Sequence, residues 1–201
     1  MIYPSDITKD EVNKLPLRGY RGNIKVVDTP KDLAVAIKEL RQHQFLGFDT
    51  ETKPAFQKGV YHQVALLQLA VSDCVYLIRL NKIGFSPVLR RLFSDQGIKK
   101  VGISIRDDLA ELKKLSNFEP QGVVELNDVA KNLGVVREGA RNLTATFLHF
   151  RISKSQQTSN WERDQLTLKQ QRYAATDAWV CYQIYEKLLD QDQIDTTDLD
   201  F

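Results

Sequence analysis

The chain has 201 residues, 42% of them hydrophobic, with 28 lysines and arginines against 26 acids. That apolar content supports a real core and excludes a wholly disordered chain. A formal net charge of +2 leaves any nucleic-acid affinity to local basic patches, and no uninterrupted apolar stretch approaches the roughly 18–20 residues of a membrane helix.

Residues 1–23 read as a polar lead segment ending in LPLRGYRG, and the mixed charge of MIYPSDITKDEVNKLP is not that of a secretory signal. IKVVDTP then reads as a strand closing on a helix start. There Thr29 is the N-cap, Pro30 takes the first helical position, and Leu33, Ala34, Ile37 and Leu40 form an apolar stripe. FLGFDTE follows as a strand, and VALLQLAVS and CVYLIRL are two more in a hairpin or meander. A helix over SPVLRRLFS leads to the strand IKKVGIS and the helix RDDLAELKKL, whose lysines make a solvated face. VVELNDVAKNLG and NLTATFLHF are expected to be short helices, and RISKSQQTSNWE a polar loop. From Thr167 a long helix runs through LKQQRYAATDAWVCYQIYEKLLD, and residues 191–201 are an acidic tail expected to fray.

No internal repeat or low-complexity linker divides the chain, so one α/β domain over residues 24–190 is the economical reading. Strands come first, then strand and helix alternate, then helices. That order predicts a mixed sheet flanked by helices on both sides. Cys74 and Cys181 form no C-x-x-C pair, which argues against a zinc ribbon or disulfide scaffold and fits a reducing, cytoplasmic setting.

The strand FLGFDTE carries the first chemical signal. Alternate residues of a strand share a face, so Asp49 and Glu51 stand together while Phe48 and Thr50 point away. Two carboxylates about 6–7 Å apart repel more strongly as water is excluded. A hard divalent cation relieves that repulsion; a strand end emerging into solvent makes it harmless. Asp107 and Asp108 open a helix, where the macrodipole alone explains acids. Tyr173 and Asp177 lie one turn apart beside Ala174, Ala175 and Ala178, small residues that let a helix lie close to a sheet. Taken alone, that pair is most simply a core tyrosine whose hydroxyl is paired to an aspartate one turn on.

Taken in order, Asp-x-Glu on a strand, an acid opening a helix and Tyr-x-x-x-Asp on a late helix resemble the three motifs of the DEDD 3′–5′ exonucleases. LGFDTETKP, VALLQLA, KKVGISIRDDLAEL, VVELNDVA, SNW and LKQQRYAATDAWVCYQIYEKL are similar to the ribonuclease D and Werner-syndrome exonuclease branch, over residues 25–190. The resemblance implies a ribonuclease H-like fold. It also implies two divalent cations, Mg²⁺ or Mn²⁺, held by Asp49, Glu51, Asp108 and Asp177, with Asp49 shared by both. Asp108 matches the second motif because it precedes LAEL, and Asp107 falls on a variable position. Tyr173 matches the DEDDy subgroup and would orient the attacking water. The DEDDh subgroup has a histidine where this chain has Arg172.

The same resemblance implies hydrolysis from a 3′ end in a dead-end pocket, releasing nucleoside 5′-monophosphates from single-stranded or frayed RNA or DNA. Candidate substrate contacts are Lys58 in the loop KPAFQKGVYHQ, with Lys53 and Phe56 beside it, Arg106 next to the second motif, and Lys154 and Trp161 before the last helix, with Arg151 nearby. Each also has an ordinary reading, as a solvated turn, a surface arginine or, for Trp161, a packing residue. His43, His62 and His149 have no motif context. The chain carries neither a helicase region nor extra helical nucleic-acid-binding domains, so affinity and processivity are expected to be modest. A catalytically silent nucleic-acid-binding or partner-docking module on the same fold is the competing reading, and the full set of acids with Tyr173 counts against it.

Overall fold

A computed structural model of the chain describes residues 3–194. In chain order the elements are α1 (Lys9–Lys14), β1 (Asn23–Val27), α2 (Pro30–Leu40), β2 (Phe45–Thr52), β3 (Val64–Ala70), β4 (Cys74–Ile78), α3 (Leu80–Ile83) and α4 (Pro87–Phe93). There follow β5 (Lys99–Gly102), α5 (Ile105–Leu115), β6 (Val123–Glu125), α6 (Leu126–Asn132), α7 (Ala140–Leu143), a π-helical turn (Thr144–Leu148) and α8 (Leu168–Asp190).

The strands form one mixed sheet in the order β1-β4-β3-β2-β5-β6. β2, β3 and β4 are antiparallel neighbours, while β1 joins β4, and β5 joins β2 and β6, in parallel. β2 shows how the sheet divides the core. Leu46 and Phe48 point to the face covered by α2, α4 and α5, where the Phe48 and Phe93 rings meet edge to face at 5.2 Å. Phe45, Gly47, Asp49 and Glu51 point to the opposite face, which α8 covers through Ala174, Ala175, Ala178 and Tyr182. β3 is buried along its whole length, as a central strand covered on both faces must be.

Local chemistry explains the helix starts. The Thr29 hydroxyl accepts from the Asp32 N–H at 3.1 Å, and Pro30 occupies the first turn. Thr167 and Gln170 form a reciprocal capping box that opens α8. Within α2 the inward stripe is Leu33, Ala36, Ile37 and Leu40. Ala34, expected on that stripe, is exposed, because Ala36 sits at i+3 from Leu33 and faces the sheet.

Three segments differ from expectation. VVELNDVAKNLG is not helical throughout: Val123 and Val124 extend alongside β5, and the Glu125 side chain caps the helix that follows. NLTATFLHF divides between α7 and a π-helical turn. The lead segment folds onto the body of the domain. Tyr3 meets Phe147 edge to face at 4.6 Å, Val12 is buried, and the Tyr20 N–H donates to Thr176 Oγ1 at 2.9 Å. The acidic tail expected to fray falls mostly on residues 195–201, outside the described residues. Among the described residues no helix is long and apolar enough to cross a membrane.

Candidate active site

Asp49 and Glu51 sit near the end of β2, where its register with β3 becomes irregular between Glu51 and Thr52. α8 brings Asp177 to them because it lies unusually close to β2. A Cβ on Gly47 would stand 2.2 Å from the Ala178 carbonyl oxygen, so only glycine allows that approach. The alanines beside Asp177 continue the same close packing. Oxygen atoms of Asp49, Glu51 and Asp177 thereby lie within 4.8 Å of one another. Two like charges on one strand are joined there by a third from a helix more than a hundred residues on.

Asp108 reaches the site by a different route. Ser104 takes a left-handed conformation (φ 62°) between β5 and α5. Glu125 fixes that turn: its two carboxylate oxygens accept the Ser104 and Ile105 N–H groups, each at 2.8 Å, and one also accepts the Asn127 N–H at 3.0 Å. α5 then presents Asp108 half-buried while Asp107 is exposed. The Asp108 carboxylate accepts a hydrogen bond from the Thr50 hydroxyl, on the face of β2 opposite Asp49 and Glu51. It therefore stands outside the group of three acids, although its charge is felt at Asp49 and Glu51.

Burial raises the proton affinity of all four acids. Asp49 is pushed well above the usual carboxylate range by burial and then by the charges of Asp177 and Asp108. Glu51 is raised by burial and by Asp49, Asp177 and Asp108. Asp177 rises to about 7 through burial, despite a Tyr173 hydrogen bond and the field of Lys154. Asp108 rises to about 6 through burial, offset in part by Thr50. Tyr173 is also raised, by burial and then by Asp177, Glu51 and Asp49, so its phenol keeps its proton at neutral pH. This clustered all-oxygen donor set suits a hard divalent cation, which relieves the mutual repulsion and displaces the extra protons.

The four groups Asp49, Glu51, Tyr173 and Asp177 open on a cavity of about 530 Å³, within the range of small-ligand pockets. Lys154, a candidate substrate contact, lines it. Trp161 does not serve as a base-stacking platform: it is 0% exposed and packs beneath Tyr173 at 6.0 Å between ring centroids. Arg106 is turned to Asp128 at 2.7 Å, and Lys58 is exposed on the loop after β2; neither lines the cavity. Lys53 pairs with Glu162 at 3.1 Å, and Arg151 donates to the Leu15 carbonyl at 3.1 Å. Thr50, Glu125 and Gly47 are positioning residues that the motif reading passed over. Glu125 was visible only as an acid within a presumed helix, and Thr50 only as the residue between two acids.

A family model described as 3′–5′ exonuclease matches residues 24–192. The bifunctional 3′–5′ exonuclease/ATP-dependent helicase WRN of Mus musculus is 34% identical over 149 residues, 71% of this chain and 11% of that protein. A 3′–5′ exonuclease of Arabidopsis thaliana is 32% identical over 173 residues, 83% of this chain and 58% of that one. The chain thus spans less than two thirds of either relative. The Aedes aegypti Nibbler EXO domain has the same fold, with a TM-score of 0.80 at 24% identity, covering 90% of this chain and 96% of that one. The mixed six-stranded sheet with helices on both faces is accordingly the ribonuclease H-like arrangement expected. By the span of the family model and the identity to these relatives, the chain belongs to the 3′–5′ exonuclease family.

Proposed function

We propose that the chain hydrolyses phosphodiester bonds from the 3′ end of single-stranded or frayed nucleic acid, RNA or DNA, releasing nucleoside 5′-monophosphates. The observation that carries this reading is the convergence of Asp49, Glu51 and Asp177 within 4.8 Å beside a protonated tyrosine. Two divalent cations, Mg²⁺ or Mn²⁺, would be held by these three acids and Asp108. When bound, such ions acidify the attacking water and neutralise charge on the departing 3′ oxygen.

The protein's own groups supply orientation. Tyr173 is a poor general base, since burial and three carboxylates oppose loss of its proton. Its hydroxyl instead acts as a hydrogen-bond partner that holds the attacking water in line. Thr50 and Glu125 keep Asp108 from drifting, one through its carboxylate and the other through the turn that starts α5. Lys154, whose field reaches Asp177, offers a phosphate partner at the cavity wall. A cytoplasmic location belongs to the same proposal and rests on two free, buried cysteines that a reducing compartment preserves.

The test is incubation of 5′-labelled single-stranded RNA and DNA with Mg²⁺, Mn²⁺ or EDTA. A ladder shortening from the 3′ end only in the presence of metal is the expected result. Tight binding with no shortening under any ion would favour a silent binding module and overturn the proposal.

A further inference from the structure

The active-site cavity has a wall from outside the region that matches the exonuclease family model, which begins at residue 24. Ile7, Lys9 and Val12 of the N-terminal segment line the same cavity as Asp49, Glu51 and Asp177. This segment is fastened in place. Asp6 accepts from Arg137 Nε at 2.6 Å, the Ser5 carbonyl accepts from the Val136 N–H at 2.7 Å, and Arg141 donates to the Asn13 side chain. Lys9 and Val12 lie on one side of α1, three residues apart, with Val12 buried and Lys9 exposed.

The charges around this wall are not balanced. Arg137 is neutralised by Asp6, but Arg141 meets only the neutral amide of Asn13, and its buried Nε–H has no acceptor among the described residues. Among the described residues Lys9 has no carboxylate within ion-pair distance, and neither has Lys154. Glu138 adds one acid to this wall against Lys9, Arg141 and Lys154, so one cavity joins an acidic group suited to cations with a net-basic wall suited to anions. A polyanion whose reacting phosphate sits at the acids presents further phosphates to its surroundings.

We propose that the N-terminal segment is part of the substrate-binding cleft, where Lys9, together with Arg141, binds a backbone phosphate of the strand other than the scissile one. This rests on the exonuclease reading of the same cavity. The role is in binding: it lowers KM and leaves the chemical step to the carboxylates.

The test compares Lys9→Glu, Lys9→Arg and Lys14→Glu with the parent on a 5′-labelled single-stranded oligonucleotide. Lys14 lies on the same helix and does not line the cavity, so it controls for general charge. Lys9→Glu should raise KM about tenfold, leave kcat within about twofold, and flatten the salt dependence by roughly one contact. Lys9→Arg and Lys14→Glu should stay near the parent. An unchanged KM in Lys9→Glu, or an equal rise in Lys14→Glu, overturns the proposal. Fluorescence anisotropy of the same oligonucleotide in EDTA separates the two claims. A parent that binds in EDTA yet fails to hydrolyse when Mg²⁺ or Mn²⁺ is supplied defeats the exonuclease reading alone, and Lys9→Glu binding in EDTA as tightly as the parent defeats this one.

Discussion

Asp177→Asn should stabilise the metal-free protein at neutral pH, although it removes an acid central to the site. In the folded chain Asp177 is raised from 3.8 to about 7, chiefly by burial. The folded state then holds its proton to higher pH than the unfolded state, so stability falls as pH rises from about 4 to about 7 and levels off above. At about 1.4 kcal/mol per unit, a shift of roughly 3 units costs up to about 4 kcal/mol at pH 8. Asp177 titrates together with Asp49 and Glu51, whose own proton affinities its charge raises, so the cost is shared among several groups and about 1–4 kcal/mol is the expected gain. Asparagine keeps an acceptor for Tyr173 while removing the charge. The assay is urea denaturation of parent and variant at pH 4.5 and pH 8 in EDTA, then with excess Mn²⁺. The variant should lead at pH 8 in EDTA and lose most of that lead at pH 4.5. Metal should stabilise the parent more than the variant, because only the native parent presents the full ligand set. A variant less stable than the parent at pH 8 in EDTA would refute the reasoning, since the carboxylate would then be holding the fold together.

Other perturbations follow from the same geometry. Tyr173→Phe should lower kcat about tenfold or more while Mn²⁺ affinity, read by calorimetry, stays within about twofold; a matching loss of metal binding would make Tyr173 a ligand-positioning group only. Glu125→Ala leaves three backbone N–H groups without their acceptor and should cost about 3 kcal/mol or more in urea, with Glu125→Gln milder. Unchanged stability and activity in Glu125→Ala would show that the Ser104 turn holds Asp108 unaided. Gly47→Ala drives a methyl into the Ala178 carbonyl and should destabilise by more than about 2 kcal/mol, or else weaken metal binding as α8 moves off β2. A variant with parental stability and metal affinity would show that the close approach is dispensable.

Much of the site was legible because its signals are short-range. Strand alternation set Asp49 and Glu51 on one face, and one helical turn set Tyr173 beside Asp177. The alanines around Asp177 announced close packing, which Gly47 completes from the sheet side. What stayed hidden depends on contacts between distant segments. Tyr3, Val12 and Tyr20 are scattered through a polar stretch with no period, so nothing local shows that they pack against Phe147, α8 and the cavity wall. β6 has three residues, too few for alternation to register against a following helical pattern. The direction of a long cation is likewise set by its neighbours: Arg106 turns to Asp128 and Lys53 to Glu162, whereas Lys154 is left at the cavity. Trp161 sits close to the motif in sequence and beneath it in space, which is why an aromatic before the last helix was open to two readings.

The most direct test of the central claim is the turnover of Asp49→Ala on a 5′-labelled strand with Mn²⁺, with circular dichroism confirming the fold. The parent should shorten the strand from its 3′ end, while the folded variant should leave it intact. An Asp49→Ala protein that digests as fast as the parent would contradict the account, because the acids at the end of β2 would then be no part of the chemistry.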